Sequence, residues 1–391
     1  MSDAPVPDAL RPHLAMSLVP GLGPRLTVAL LEHFGSASAA LRATAAQLES
    51  VPMIGATLAA RFARSFSQVN VDVEWALAQK HGVTIALPGQ PGYPDVLTTI
   101  PDAPPLLYSR GSFLPIDSNA VGIVGSRACT PYGKRVAAQI AAGLVRAGYT
   151  VISGLARGID GAAHQAALDA GGRTLAVLAG GLSEIYPREH TELAEACVRG
   201  GAIMTETPMT VDPQPGMFPA RNRIISGLSR GIVVIEANAR SGALITATHA
   251  ADQGREVFVV PANVDSMASA GCLELIRKGA KMVRNADDIL EDLCGISMPL
   301  PPPLKANRRT TPTNLFNKPQ PPPAVPVEQA MPHGLDEQQQ RIWDALATAR
   351  QADELSRELA MASGDLTVQL MKLEMKRIIR RMPGNVYERR T

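Results

Sequence analysis

The sequence predicts an α/β fold in which helices cover both faces of a parallel sheet. Between residues 119 and 293, short apolar runs alternate with alanine-rich amphipathic segments such as 132–147 and 161–170, and this alternation indicates βαβ units. The runs do not themselves alternate between apolar and polar residues, which is typical of strands buried on both faces. The predicted strands comprise residues 121–124, 150–153, 174–178, 202–205, 232–235 and 257–260.

Proline and glycine mark the predicted domain boundaries. Of the 32 prolines, 11 lie between Pro299 and Pro332, so we expect residues 296–334 to form an extended linker. A weaker boundary lies in the Pro- and Gly-rich stretch 88–118, because leucines recur at helical spacing before it. The 391 residues thus divide into a helical domain (1–85), the sheet domain (86–295), the linker and a C-terminal domain (335–391).

The N-terminal helices are predicted to begin at glycine turns. Gly21-Leu22-Gly23 precedes one predicted helix, and residues 51–55 repeat the arrangement with a single glycine. The pattern resembles tandem helix-hairpin-helix units in a SAM-like domain, whose turns can offer backbone N–H groups to phosphate. A role in packing alone is equally consistent with the sequence, because Arg25 is nearly the only basic residue near the first turn.

The C-terminal domain shows the pattern of a winged helix. Predicted helices over 337–349, 352–360 and 365–375 precede a hairpin around residues 383–385. The last 21 residues carry seven Lys and Arg against two Asp and Glu. Basic side chains in a wing can touch the phosphates of duplex DNA or a protein partner, and a solvated strand face is the alternative. The residues concerned are Lys376, Arg377, Arg380 and Arg381.

Charge and aromatic content narrow the possible ligands. The net charge is +2, but residues 1–298 hold 24 Lys and Arg against 26 Asp and Glu. An anion site in this part must therefore be a local cluster of arginines rather than a basic surface. The aromatic residues (7 Phe, 2 Trp and 6 Tyr) are too few for broad base-stacking platforms, so contacts to phosphate are favoured over stacking.

The composition favours a cytoplasmic protein. With 46% apolar and 19% charged residues and a mean hydropathy of +0.03, the chain is expected to be soluble and globular. No basic segment followed by an apolar run opens the sequence, so we expect neither export nor association with a membrane. The four cysteines form no C-x-x-C pair, which argues against a zinc site and against a disulfide framework.

The first predicted strand ends in a candidate phosphate site. Gly125 permits a tight turn before Ser126 and Arg127, and a helix begins shortly afterwards, near Thr130. Free N–H groups at a helix N-terminus and an arginine fork both bind phosphate oxygens; the alternative is that Arg127 ties the loop to a carboxylate. The G-x-G-x-x-G fingerprint and its acidic ribose ligand are absent, so we expect no NAD and no other cofactor.

The second predicted strand ends in Ser153 and Gly154, in a loop of small residues that lets a ligand approach the backbone closely. Asp160 and His164 follow it, and we interpret them as a helix cap and a core histidine rather than as an acid–base pair. After the third strand, Arg188 is a candidate phosphate contact or a solvated helix charge.

The strongest local signal is Arg221-Asn222-Arg223, at the start of an apolar helix. Arginine and asparagine together donate to phosphate oxygens and to base edges. We expect one of the two arginines to form an internal ion pair instead, with Glu206 or Glu236. Ser241, before the next helix, is either an N-cap or a phosphate ligand.

Taken together, these blocks resemble the DNA-processing protein A (DprA/Smf) family. The resemblance rests on ordered motifs spread over residues 90–292: G-S-R-x-x-T-x-Y-G at 125–133, S-G-L-A-R-G-I-D at 153–160, Y-P-R at 186–188, F-P-x-R-N-R at 218–223 and S-G-x-L-I-T-A at 241–247. The chain departs from the family at Pro261-Ala262, where the family often has Pro-Gly, and residues 264–271 are also divergent.

The resemblance implies an extended Rossmann-like domain that binds single-stranded DNA, dimerises and loads the RecA recombinase during natural transformation. The implied DNA contacts are Gly125, Ser126, Arg127, Arg188, Asn222 and Arg223, with Arg221 undecided. The implied dimer face lies near residues 272–280, beside the divergent segment.

The sequence therefore favours a non-enzymatic DNA-binding protein. One alternative is a nucleotide-processing enzyme of the phosphoribohydrolase type, although its signature G-G-x-G-T-x-x-E is absent. Another is a scaffold in which the winged helix and the linker do the work and the sheet domain only dimerises.

Overall fold

The structure is a computed structural model that describes residues 5–294, 335–346, 350–351, 355, 359, 361, 363–376, 378–382 and 386–389. The chain forms two compact units, Met1–Asn307 and Arg308–Thr391. The predicted linker over residues 296–334 lies outside the described residues, and the domain boundary at residue 85 stays a prediction.

The first unit opens with short helices. They are α1 (Arg11–Ser17), α2 (Pro24–Phe34), α3 (Ala37–Leu41), α4 (Ala45–Glu49), α5 (Ala56–Phe66) and α6 (Val71–Lys80). Polar side chains cap three of them, α3, α4 and α6, with Ser36 on α3 and Asn70 on α6. Leu30, Leu48 and Phe62, whose spacing predicted helices here, are buried in one cluster. The predicted N-terminal helices are confirmed.

The remainder of the first unit is an α/β sheet domain. Its strands are β1 (Thr84–Ala86), β2 (Leu107–Gly111), β3 (Ala120–Gly125), β4 (Thr150–Ser153), β5 (Thr174–Val177), β6 (Gly201–Thr205), β7 (Gly231–Ile235), β8 (Glu256–Val259) and β9 (Lys281–Met282). Its helices are α7 (Pro131–Arg146), α8 (Ile159–Asp169), α9 (Thr191–Arg199), α10 (Met217–Leu228), α11 (Gly242–Asp252), α12 (Ala270–Arg277) and α13 (Ala286–Leu293).

The described strands of this unit form one sheet in the order β1-β2-β6-β5-β4-β3-β7-β8-β9. The strands β3 to β9 pair in parallel, and β1 and β2 add an antiparallel edge. All six predicted strands are present, and the predicted Rossmann-like α/β fold is confirmed. The sheet is larger than predicted, because β1, β2 and β9 extend both of its edges.

Helices cover both faces of the sheet. Ile140 of α7 and Ile289 of α13 share one buried cluster with Ile123 of β3. Ile225 of α10 and Ala247 of α11 lie in the cluster on the other face. Because helices cover both faces, we expect a ligand to bind at the ends of the strands.

Helices α1 and α6 pack on the sheet rather than on their helical neighbours alone. Leu14 of α1 and Ala78 of α6 belong to the same buried cluster as Tyr108 of β2 and Ile203 of β6. The carboxylate of Glu74 in α6 accepts a hydrogen bond from the Met209 backbone N–H at 2.7 Å. Helices α1 and α6 therefore share a core with the sheet.

The second unit contains the predicted winged helix. It comprises α14 (Glu337–Ala345), β10 (Arg350–Gln351), α15 (Ser363–Met375), β11 (Ile379–Met382) and β12 (Val386–Arg389). The antiparallel hairpin of β11 and β12 is the wing, and β10 pairs with β12. Of the predicted helix 352–360, only Leu355 and Leu359 are described, and both are buried. Among the helices that the structure describes, none combines the length and apolar composition needed to span a bilayer.

Candidate nucleic-acid interface

Six of the residues predicted at the strand ends line a cavity of about 380 Å³ at the carboxyl ends of the strands. Here the connection after β3 runs toward β4 and the connection after β7 runs the opposite way, toward β8. Open α/β sheets bind their ligands at such a switch point. We call it the switch-point cavity; its lining includes the predicted residues Gly125, Ser126, Arg127, Arg221, Asn222 and Ser241.

Gly125 is required by close packing rather than by the tight turn we predicted. A Cβ at this position would lie 1.9 Å from the backbone oxygen of Ile235 in β7. No positive φ is recorded for Gly125. Any side chain here would therefore push β3 and β7 apart at the floor of the cavity.

Contrary to our expectation, two backbone N–H groups at the N-terminus of α7 are not free to bind a phosphate, because they already donate to internal acceptors. The Thr130 N–H donates to Glu236 Oε2 at 2.7 Å, and the Gly133 N–H donates to Thr130 Oγ1 at 3.2 Å. The internal carboxylate of Glu236 thus already occupies the position in which an external anion would interact with the helix dipole.

Arg127 projects from the loop between β3 and α7 and is exposed. Its guanidinium carbon lies 4.4 Å from the centroid of the Phe218 ring, and the Tyr186 ring centroid is 6.0 Å from that of Phe218. Among the described residues, no carboxylate pairs with Arg127. The alternative that Arg127 ties its loop to a carboxylate is therefore not what the structure shows; the side chain is stacked on an aromatic ring with its charge available.

Arg221, in α10, is buried at the inner wall of the same cavity. Its Nη1 donates to the backbone oxygen of Gly154 at 2.7 Å and to that of Val177. Burial lowers the pKa of Arg221 to about 10; Asp160 opposes this shift and Arg127 adds to it. Two guanidinium groups therefore face one cavity, and an anion between them would relieve their repulsion.

Asn222 and Ser241 complete the wall on the α11 side. Asn222 Nδ2 donates to the backbone oxygen of Gly242 at 3.2 Å, and Arg221 Nε donates to Asn222 Oδ1 at 3.3 Å. The Ser241 hydroxyl accepts from the Ala243 N–H at 3.3 Å, so Ser241 is the N-cap of α11 as well as a lining residue. The two interpretations of Ser241 are therefore compatible.

Arg223 does not reach the cavity. Its Nη2 lies 2.6 Å from Glu206 Oε2, its Nε lies 3.3 Å from Asp102 Oδ2, and its side chain is only 5% exposed. We therefore correct the expectation that Arg223 contacts DNA. The internal ion pair that we expected for one arginine of the motif belongs to Arg223, with Glu206 as its partner.

Three further predicted contacts, Ser153, Gly154 and Arg188, are also absent from the lining of the switch-point cavity. The Arg188 side chain is 86% exposed and lies 3.2 Å from Glu184, which corresponds to the predicted alternative of a solvated charge. Ser153 is buried, and its hydroxyl donates to the backbone oxygen of Ile123 at 2.6 Å. Gly154 lines a neighbouring pocket together with Tyr186 and Phe218.

Asp160 and His164 are structural, although Asp160 does not cap α8 as we expected. Asp160 Oδ2 accepts from the N–H groups of Gly154 (3.2 Å) and Ala156 (3.4 Å), so it orders the loop after β4. Burial raises the pKa of Asp160, while Arg221 and the two N–H groups oppose the rise. His164 bonds Thr174 Oγ1 at 2.6 Å, and burial lowers the pKa of this histidine to about 3.

The sequence reasoning did not select three residues that are near the site. Arg240 is exposed and lines the cavity; its position directly before Ser241 at a strand end was the available signal. Phe218 and Tyr186 belong to the motifs, but the low aromatic content directed attention to the arginines.

The basic residues predicted in the wing are only partly described. Lys376 is exposed, and its Nζ lies 3.1 Å from Gln339 Oε1 of α14. Arg380 and Arg381 lie in β11, opposite Glu388 and Tyr387 of β12. Arg377 lies outside the described residues. Contact of the wing with duplex DNA stays a prediction.

A doubly wound sheet with arginines lining the cavity at its switch point defines a Rossmann-like α/β protein, here with a winged helix in the same chain. Models of two families match the chain: DNA recombination-mediator protein A over residues 84–294 and the DprA winged helix domain over residues 319–385. The chain belongs to the DprA/Smf family of DNA-processing proteins.

Individual relatives agree with this assignment. Protein Smf of Synechocystis sp. is 35% identical over 389 residues, which cover 96% of this chain and 98% of the relative. The DNA processing protein DprA of Bacillus subtilis is 44% identical over 202 residues, covering 51% of this chain and 68% of that protein. The solved structure of DprA from Streptococcus pneumoniae superimposes with a TM-score of 0.62 at 32% identity, covering 74% of this chain and 99% of the other.

Proposed function

We propose that the switch-point cavity binds single-stranded DNA by its phosphates, and that the protein performs no catalysis on it. The observation that carries this proposal is the pair of guanidinium groups, Arg127 and Arg221, facing one cavity. Asp160 is near the buried Arg221, whereas Arg127 is exposed and has no carboxylate partner among the described residues. A phosphodiester supplies the missing negative charge.

The exposed Tyr186 and the partly buried Phe218 beside Arg127 favour a single strand over a duplex. Tyr186 is 45% exposed, and its ring lies beside that of Phe218 at an interplanar angle of 60°. Unpaired bases can stack on such rings, whereas bases in a duplex are already stacked on each other. Gly125, Ser126, Asn222 and Ser241 would shape the path of the backbone between the two arginines. Ser153, Arg188 and Arg223 are not part of the proposed contact.

The wider role follows the family. We propose that the protein acts in the cytoplasm as a homodimer, protects incoming single strands and loads the RecA recombinase onto them in natural transformation and recombination. Membership in a DNA-processing family supports this role. If the protein is not an enzyme, incubation with nucleotides should release no free base.

The binding of oligo-dT at a series of salt concentrations tests the DNA site. Each phosphate contact to a single strand contributes about −0.7 to the slope of log affinity against log salt. Arg127→Ala should lower the affinity about tenfold or more and make the slope shallower by about 0.7. Arg146→Ala is the matched control, because Arg146 is an exposed arginine at the other end of α7. Unchanged affinity of the Arg127→Ala protein would rule out this cavity as the DNA site.

A further inference from the structure

Glu236, the residue after β7, has an unusual backbone conformation. Its φ is +50°, a left-handed value that glycine adopts easily and a glutamate rarely. The last pairing of the ladder between β3 and β7 joins Gly125 to Ile235. Immediately beyond it, the Ser126 N–H donates to the backbone oxygen of Glu236 at 2.7 Å. The backbone oxygen of Glu236, in its left-handed conformation, therefore fixes the beginning of the loop that carries Arg127.

The side chain of Glu236 holds the other end of the same loop. Its Oε2 accepts from the Thr130 N–H at 2.7 Å, and its Oε1 accepts from the Thr130 hydroxyl. Gly133 leaves the space for this carboxylate, since a Cβ there would lie 2.5 Å from the Glu236 carboxyl carbon. One residue thus fixes residues 126 and 130, and Arg127 lies between these two anchors.

The same contacts keep Glu236 from neutralising Arg127. The Glu236 side chain is buried and does not line the switch-point cavity. Its charge faces the first turn of α7, where a carboxylate is stabilised by the helix dipole. Arg127 is left without a carboxylate partner among the described residues, and its guanidinium lies over Phe218. A non-glycine residue in a strained conformation at a ligand site is frequently retained for function.

We infer that Glu236 is a positioning residue for DNA binding: it clamps both ends of the loop 126–130 so that Arg127 points into the switch-point cavity. This inference rests on the proposed function for the role of Arg127, but the clamp itself is a property of the DNA-free protein. Glu236 touches no DNA and acts only through the loop.

Two measurements on the full-length protein test the inference. Hydrogen exchange of residues 125–131, followed by mass spectrometry without DNA, reports on the clamp. Fluorescence anisotropy with labelled oligo-dT reports on affinity.

Four variants are compared with the wild type. Glu236→Gly removes the carboxylate and relieves the strained backbone, whereas Glu236→Gln keeps one acceptor oxygen. The other two are Arg127→Ala and the Glu236→Gly/Arg127→Ala double variant. Asp117→Asn is the control. Asp117 is also a buried carboxylate, and it accepts hydrogen bonds from the Leu114 N–H (2.8 Å) and the Thr150 hydroxyl (2.8 Å). It lies just before β3, at the amino ends of the strands, away from the switch-point cavity.

We expect Glu236→Gly to speed exchange in residues 125–131 and to weaken oligo-dT binding about tenfold. Glu236→Gln should remain within roughly threefold of the wild type, because its amide oxygen can still accept from Thr130. The double variant should bind no more weakly than Arg127→Ala alone, since both changes remove the same contact. Asp117→Asn should lower stability without altering affinity or the exchange of this loop.

Unchanged exchange in Glu236→Gly would overturn the clamp, whatever happens to DNA binding. If Glu236→Gly exchanges faster but binds oligo-dT with wild-type affinity, Glu236 does not act through Arg127. The same conclusion follows if the losses of affinity caused by the two single changes add up in the double variant. Wild-type affinity in Arg127→Ala would instead contradict the proposed function, and the exchange result would still decide whether Glu236 orders the loop. If Glu236→Gly does not fold, Glu236→Asn and its double variant with Arg127→Ala make the same comparison, because asparagine tolerates the left-handed backbone and its side chain is one methylene shorter than that of glutamine.

Discussion

Arg221 and Arg223 are two positions apart in one helix and have opposite environments. Residues separated by two positions project about 200° apart around a helix axis, so the sequence implied that the two arginines face different ways. It could not reveal which one faces the cavity, because both Glu206 and Glu236 were available as internal partners. The fold decides the question: Glu206 lies 2.6 Å from Arg223, and Glu236 is bound to Thr130.

Arg223→Ala should therefore act on stability rather than on DNA. Removing one partner of a buried ion pair leaves Glu206 and Asp102 without their cation, and we expect a loss of roughly 3 kcal/mol in the free energy of unfolding. Urea denaturation measures this loss, and oligo-dT titration at low temperature should show near wild-type affinity for the folded fraction. Arg146→Ala provides the comparison for removal of an exposed charge. If the Arg223→Ala protein is as stable as the wild type but binds oligo-dT weakly, Arg223 is part of the DNA site and our correction is wrong.

At the scale of elements, the central strands were predictable and the edges were not. β3 to β8 are apolar without alternation, and helices separate them, so their pattern is unambiguous. β1 and β9 have three and two residues, too few to show a period. β2 follows Pro104-Pro105 in a stretch rich in turn residues, which indicated a boundary instead. The left-handed φ of Glu236 gave no sequence signal, because glutamate is not a typical turn residue.

The close packing of Gly133, in the first turn of α7, against the Glu236 carboxylate can be tested by substitution. Glycine inside a helix normally costs about 1 kcal/mol relative to alanine, so Gly133→Ala would ordinarily stabilise the protein. Here the added methyl group would collide with the Glu236 carboxylate, and we expect a destabilisation of about 2 kcal/mol instead. Thermal unfolding measures the difference. Gly242→Ala at the start of α11 is the control, because its Cβ would have no neighbour within 4 Å; a Gly133→Ala protein as stable as this control would contradict the packing described.

At the scale of the whole molecule, the two units contain separate buried clusters. Trp343, Leu370 and Tyr387 belong to the buried cluster of the winged helix. The first unit has its own clusters on both faces of the sheet. We therefore expect residues 1–307 to fold without the winged helix.

A chain of residues 1–307 should retain oligo-dT affinity within roughly threefold and lose affinity for duplex DNA about tenfold, if the wing contacts phosphates. Gel shifts with both DNA forms make the comparison. Replacing Lys376, Arg377, Arg380 and Arg381 by glutamine in the full chain should reproduce the loss for the duplex. Equal duplex affinity of the full and shortened chains would show that the basic wing is a solvated surface or a site for a protein.

The packing of α1 on the sheet also constrains the order in which the chain acquires its structure. Leu14 of α1 shares a buried cluster with Ile203 of β6, so α1 cannot complete its packing until a strand that follows much later in the chain has been synthesised. Contacts so distant in sequence form slowly and leave apolar surface exposed meanwhile. During translation, the first helix would remain an open apolar surface until β6 has left the ribosome exit tunnel. Chaperone access to nascent chains should accordingly end only after that point.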